Sequence, residues 1–176
     1  MLPHIVRCWM RKGKQKQVKT PGKNRRLAAF GALGYGYHAG GLFLHHTQPR
    51  KTAWGMRHLV QKLLTRAKRT GRRIVLVLDR GNPNHARSLH RDLELAAPWI
   101  EMFWLPNYCW NLSLIERLWK HLKATRVADV LFSSYRQFER HVVAALDDFA
   151  KHPDLTLSVV GQTRPKHIRK NLVAYT

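Results

Sequence analysis

Ile74-Val75-Leu76-Val77-Leu78-Asp79 is the stretch on which the reading of this chain turns: a run of aliphatic residues closed by an acid. Arg72 and Arg73 precede it, and the turn-like Arg80-Gly81-Asn82-Pro83-Asn84 follows. A short continuous apolar run bounded by turn residues predicts a strand over Arg72–Asp79, buried on both faces. Asp79 is also the first acidic residue of the sequence. A carboxylate at a strand end can cap the turn after it or hold something beyond it, and the run alone leaves both readings open.

Working outward, Leu27–Leu33 and Leu42–His46 read as strands joined by a glycine-rich turn, Tyr35 to Gly41. Thr52 to Thr70 places Trp54, Met56, Leu59, Val60, Leu63, Leu64 and Ala67 at helical spacing, and Gly71 ends it. Downstream, His85–Ala97 is a predicted helix stopped by Pro98, and Trp99–Leu105 a strand stopped by Pro106. A helix from Asn111 to about Arg126 carries Leu112, Ile115, Leu118, Trp119 and Leu122. Tyr135–Lys151 is the last helix, apolar at Phe138, Val142, Ala145, Leu146 and Phe149. Strands alternating with helices predict an α/β layered domain with parallel pairing in its second half. The expected division is one domain over residues 1–152 and a basic C-terminal tail over 153–176, ending in Arg164-Pro165-Lys166-His167-Ile168-Arg169-Lys170.

The charge is far from that of an ordinary domain. The 176 residues carry 32 Lys+Arg against 10 Asp+Glu, a formal charge of +22. Residues 1–78 hold 18 of these cations and no acid, whereas residues 79–176 hold 14 against 10. Solubility needs much less, so the imbalance points to phosphate backbones, where Lys and Arg release condensed counterions. The run 11–26, with Arg11, Lys12, Lys14 and Lys16, has no acidic counterpart nearby and is the first candidate DNA contact. Lys120 and Lys123, on the helix after Glu116, are the second; a solvated helix face would look the same.

Cys8 and Cys109 have no paired spacing, so neither a disulfide framework nor a zinc site is indicated, and a reducing cytoplasm is expected. Leu27 to Pro49 lacks charge, but its glycines and histidines make a poor membrane span. His45 and His46 are adjacent on a strand and point to opposite faces, which excludes them as a ligand pair.

Cutting or joining a phosphodiester requires stabilisation of an attacking oxygen, a crowded phosphorus centre and a leaving oxygen. Two divalent metals held by carboxylates do all three, and magnesium prefers such hard oxygen ligands. Asp79 and Glu116 are candidates, with 36 residues between them. A helix and a returning strand fill that gap and bring Glu116 back toward Asp79. The competing role for Glu116 is local: Ser113-Leu114-Ile115-Glu116 has the form of a capping box at a helix start.

Val75–Lys123 resembles the catalytic core of mariner-like DDE insertion-sequence transposases. The resemblance rests on Asp79 ending a strand, on His85, and on a block formed by Leu105, Pro106, Tyr108, Cys109, Leu112, Ile115, Glu116, Trp119, Leu122 and Lys123. Tyr135–Phe149 is similar to that family's closing helix. It implies a ribonuclease-H-like fold and a site of three carboxylates with Mg2+ or Mn2+ ions, used to cut and join DNA at element ends. By the resemblance Asp79 is the second metal ligand and Glu116 the third.

The departures are informative. Arg80 stands where Asn is usual, His85 lies one position late, Trp110 replaces Pro and Ser113 replaces Asn. Ile5–Gly13 matches the Trp-containing strand that follows the family's first Asp, which places that Asp before Met1. The resemblance therefore implies an incomplete domain, without its first central strand, first Asp and upstream helix-turn-helix. The expected function is that of a transposase catalytic-domain fragment, inactive alone, with DNA as partner, possible association with itself or a full-length transposase, and a bacterial, nucleoid-associated location. The alternative is a non-catalytic DNA-binding or subunit-interfering remnant. An RNA-associated protein has no recognition signature here.

Overall fold

The computed structural model describes residues 9–14, 17, 25–35, 41–47, 52–79, 87–109 and 112–162. Its elements follow the order β1 (Ala28–Leu33), β2 (Leu42–Thr47), α1 (Ala53–Thr70), β3 (Ile74–Leu78), α2 (Arg87–Ala96) and β4 (Ile100–Trp104). Then come α3 (Ile115–Leu122), a π turn (Lys123–Val127), α4 (Tyr135–Lys151) and α5 (Pro153–Val159). Strands β1 and β2 pair antiparallel, with Phe30 opposite His45 and Leu33 opposite Leu42. Strands β3 and β4 pair parallel, with Leu76 opposite Met102 and Leu78 opposite Trp104. The α/β layering and the parallel second half are as the sequence predicts. Among the described residues no ladder joins the two pairs, so the strands form two separate two-stranded sheets.

Local chemistry accounts for the helix limits. Thr52 accepts a hydrogen bond from the Gly55 amide at the start of α1, and Gly71 closes it at φ 63°. Left-handed closure of this kind is cheap for glycine because no Cβ meets the carbonyl. Ser134 caps α4 through the Gln137 amide. Met56, Leu59, Val60, Leu63 and Ala67 form the buried stripe of α1.

The packing is layered. Helices α1 and α2 cover one face of both sheets, burying Phe30, Leu76, Leu78 and Ile100 with Leu59, Leu63, Leu89 and Leu93. On the opposite face α3, α4 and α5 bury Leu42, Leu118, Leu146, Phe149 and Val160. Leu27, Ala29, Leu33 and Leu44 pack into that second cluster, so β1 and β2 are covered on both sides. Strands β3 and β4 are not. Val75, Val77 and Phe103 are 60%, 52% and 56% exposed. This corrects the expectation that β3 is buried on both faces: α1 covers its Leu76/Leu78 side, and no described element covers the other. Burying one such side chain is worth about 1.5–3 kcal/mol, so the open face is a real cost.

Two further expectations change. The helix predicted from Asn111 begins at Ile115, after a turn at Leu112–Leu114, and passes into the π turn, where the Ala128 amide reaches the Lys123 carbonyl at 2.8 Å. Residues 153–160, assigned to the tail, instead form α5 and part of the core, with Leu157 and Val160 at 2% and 0% exposure. Pro153 sits in the first turn, where its missing N–H costs nothing. Residues 163–176, with the basic stretch of the expected tail, lie outside the described residues, as do 18–24, 36–40 and 80–86. No helix among the described residues is long and apolar enough to cross a membrane.

Candidate active site

Asp79 follows the last residue of β3. The Leu78 carbonyl still accepts the Leu105 amide at 2.8 Å, so the ladder with β4 holds the chain up to the acid itself. Asp79 is half-buried at the carboxyl end of the parallel pair. In open α/β sheets that end is where ligands bind.

Glu116 lies in the first turn of α3 and is exposed. The capping-box role is not realised: the residue before the helix is Leu114, and no side chain caps the terminus. The Glu116 amide instead bonds the Ser113 carbonyl at 3.1 Å, and the residue stays exposed in the first turn of the helix, whose dipole favours negative charge.

The segments carrying the two acids border one groove of about 740 Å3. Consecutive residues Gly31–Tyr35 form one wall, Ile74–Leu78 the other; Met56, Leu59 and Leu63 of α1 form the floor, and Leu112–Ile115 lie across it. Tyr35 stands at this groove, and burial holds its hydroxyl above the ordinary tyrosine range, with the Arg117 guanidinium pulling it partly back. Arg117 is a residue that sequence reasoning missed. Its Nη1 donates to the Val160 carbonyl at 2.9 Å and ties α3 to the end of α5. Nothing local in the sequence announces this contact, which spans 43 positions. Gly31 was missed too, although a glycine inside a strand signals close approach of another group.

Carboxylates are suitable donors for Mg2+ or Mn2+, and Asp79 and Glu116 supply two. Among the described residues there is no group of three or more His, Cys, Asp or Glu side chains able to hold a metal. His85 lies outside the described residues. His45 is no ligand candidate: its ring stacks on His58 at 4.8 Å and meets Trp54 edge-on at 5.5 Å.

Of the candidate DNA contacts, Arg11, Lys12 and Lys14 are exposed on a turn closed by the Lys14 amide and the Arg11 carbonyl at 3.0 Å. Lys16 lies outside the described residues. Lys120 and Lys123 are exposed on α3 and at the start of the π turn. Arg126, ten residues beyond Glu116, is engaged with α4 instead: its Nη2 lies 3.4 Å from Asp148 Oδ2, and the His141 ring bonds its carbonyl at 2.6 Å.

The model of one family, described as DDE superfamily endonuclease, matches residues 4–139. No curated protein matches the sequence. Among solved structures, the Mos1 mariner paired-end complex with Mn is similar at a TM-score of 0.56 and 15% identity, over 92% of this chain and 51% of that one. The Mos1 strand transfer complex is similar at 0.50 and 14% identity, over 93% of this chain and 52% of that one. The likeness at such identity is one of fold, ribonuclease-H-like, and the chain spans about half the length of these relatives.

Proposed function

Because the chain belongs to the DDE superfamily endonucleases, we propose that it is part of a transposase catalytic domain that acts on DNA at element ends, with Asp79 and Glu116 as metal-binding carboxylates. The observation that carries this reading is the shared groove: the residues preceding Asp79 and those preceding Glu116 line the same cavity. Mg2+ or Mn2+ held by these acids would stabilise the attacking and leaving oxygens of phosphodiester cleavage and strand transfer. A Mos1 relative whose structure contains Mn supports a divalent ion of this type.

The protein's own contribution is positional. Strand β3 presents Asp79 at a sheet end, the first turn of α3 presents Glu116, and Arg11, Lys12, Lys14, Lys16, Lys120 and Lys123 offer cations for the phosphate backbone. The paired-end and strand-transfer complexes of Mos1 support DNA as the partner. No acid precedes Asp79 in the sequence. Two carboxylates clamp two metals poorly, so residues 1–176 alone are expected to be inactive, and a supplied Asp-bearing strand to restore cleavage.

The test is metal-dependent nicking of supercoiled plasmid in Mn2+. The chain alone should leave the plasmid intact. Nicking that survives Asp79→Ala in the restored protein would remove Asp79 from the site. The charge of +22 favours a second reading, a non-catalytic DNA-binding remnant. Restored protein that binds DNA with steep salt dependence yet never nicks it would support that reading.

A further inference from the structure

Helix α1 turns Gly55, Met56, Leu59, Val60, Leu63 and Ala67 into the core. At about 100° per residue, Trp54, Gln61, Thr65 and Lys68 fall on one line along its opposite side, flanked by Arg57, His58, Lys62 and Arg69. Trp54, grouped with the apolar positions by its spacing, is therefore off the buried stripe, and it is 55% exposed. Its ring is nonetheless held in place. The centroid of the His58 ring lies 3.9 Å from that of the indole, tilted by 50°. His45 of β2 stacks on His58 at 4.8 Å and meets the indole edge-on at 5.5 Å. His58 Nδ1 bonds the Trp54 carbonyl at 2.8 Å, which fixes the imidazole one turn along. Underneath, Phe30 packs so closely on Gly55 that no Cβ would fit between them, and the turn that bears Trp54 is seated on β1.

The line beyond the indole is cationic, for α1 contains no acidic residue. Arg57 is paired with Asp92 of α2, and Lys62 leans back to the Leu44 carbonyl at 2.6 Å. Lys68 and Arg69 stand exposed in the last turn. A rigid, half-exposed ring followed by cations along about 27 Å of helix suits an unpaired nucleic-acid strand: the ring takes the face of a base and the cations follow the phosphates. Within a duplex the base faces are stacked on one another and closed to the indole. An acidic peptide would meet the cations and leave the indole without a flat partner. We propose that the outer face of α1 binds an unpaired nucleic-acid strand, with one base stacked on Trp54 and the phosphates running toward Lys68 and Arg69. Stacking accepts every base, so the site is tolerant of sequence. It belongs to the layer opposite α3 and is therefore apart from Lys120 and Lys123. The proposal stands on α1 and is independent of the catalytic reading.

The test titrates the full chain, by fluorescence anisotropy, into a labelled strand of about eight thymidylates and into an abasic strand of the same length. The two carry the same phosphates and differ only in their bases. The parent should prefer the thymidylate strand by at least about fivefold. Trp54→Ala should remove that preference while binding the abasic strand within about twofold of the parent, which a merely unfolded variant would not do. Trp54→Phe, which keeps a ring, should keep most of the preference. Lys68→Gln combined with Arg69→Gln should lower the slope of log K against log salt by about 0.7 per lost contact on either strand. A uridylate strand distinguishes the sources: the same preference over its own abasic control supports the site for RNA as well as DNA, and loss of the preference confines the site to DNA. Equal affinity of the parent for thymidylate and abasic strands, a preference that survives Trp54→Ala, or a salt slope unmoved by the double glutamine variant would each overturn the proposal.

Discussion

The indole of Trp119 lies against Gly31 so closely that a Cβ built on the glycine would stand 2.8 Å from Trp119 Cζ2 and 2.9 Å from Ile115 Cδ1. Helix α3 is thereby seated on β1 at the turn that bears Glu116. Gly31→Ala should force α3 outward and destabilise the fold by about 1–3 kcal/mol, as overpacking does. Urea denaturation measures this, and an unchanged midpoint would mean that α3 moves freely over the sheet.

Since α3 begins without a side-chain cap, neither Ser113 nor Glu116 is needed to start the helix. Ser113→Ala and Glu116→Ala should each change stability by less than about 0.5 kcal/mol. A loss of about 1 kcal/mol in either would reinstate the capping box and weaken the case for Glu116 as a ligand.

Leu157, in a segment expected to be tail, is 2% exposed. Leu157→Ala should cost about 2–5 kcal/mol if α5 belongs to the core. Thermal or denaturant unfolding that leaves the variant indistinguishable from the parent would return these residues to the tail.

Lys120 and Lys123 are exposed after Glu116. If they meet phosphates, the double alanine variant should lower the slope of log K against log salt by up to about 0.9 per lost contact on duplex DNA. An unchanged slope makes them an ordinary solvated helix face.

Tyr35 is raised above its ordinary pKa of 10.0, by burial first, against the opposing pull of Arg117. Arg117→Ala should therefore move the Tyr35 titration further up, as followed by tyrosinate absorbance against a Tyr35→Phe reference. The neutral form is favoured in the folded state, so this group's contribution is complete below pH 10.0 and is lost as pH rises through the higher folded value. A downward shift in the variant would mean that Arg117 does not face the hydroxyl.

Much of this architecture is legible in the sequence. The α1 stripe and Gly71 announce their helix, because periodicity and stop agree; that Thr52 caps it, and does not belong to it, is a finding of the structure. Tyr135–Lys151 is read to the residue from the apolar spacing of Phe138, Val142, Ala145, Leu146 and Phe149. The run Ile74–Leu78 gives the strand and the position of Asp79. It cannot tell whether a second layer covers Val75 and Val77, because aliphatic residues report what a strand tolerates and not which neighbours it has. The π turn is invisible because Lys123–Val127 continues a plausible helix. Helix α5 did leave a signal, Pro153 followed by Asp154 in a first turn, outweighed by the basic stretch farther on. Glu116 was recognisable through its block, but its freedom from capping is a matter of backbone geometry alone.

Helix α1 has a structural duty that follows from the divided sheet. With no described ladder between β1 and β3, Met56, Leu59 and Leu63 act as a splint, packed in the one buried cluster that holds Phe30 of β1 and Leu76 of β3. Hydrogen-bonded strands sit at a spacing fixed by the backbone, about 4.8 Å. Here the opening between the halves is set by side-chain volume instead, and with it the reach from the Glu116 helix to Asp79. One methylene more or less at Leu59 or Leu63 would act as a gauge block, resetting the aperture while leaving every strand intact.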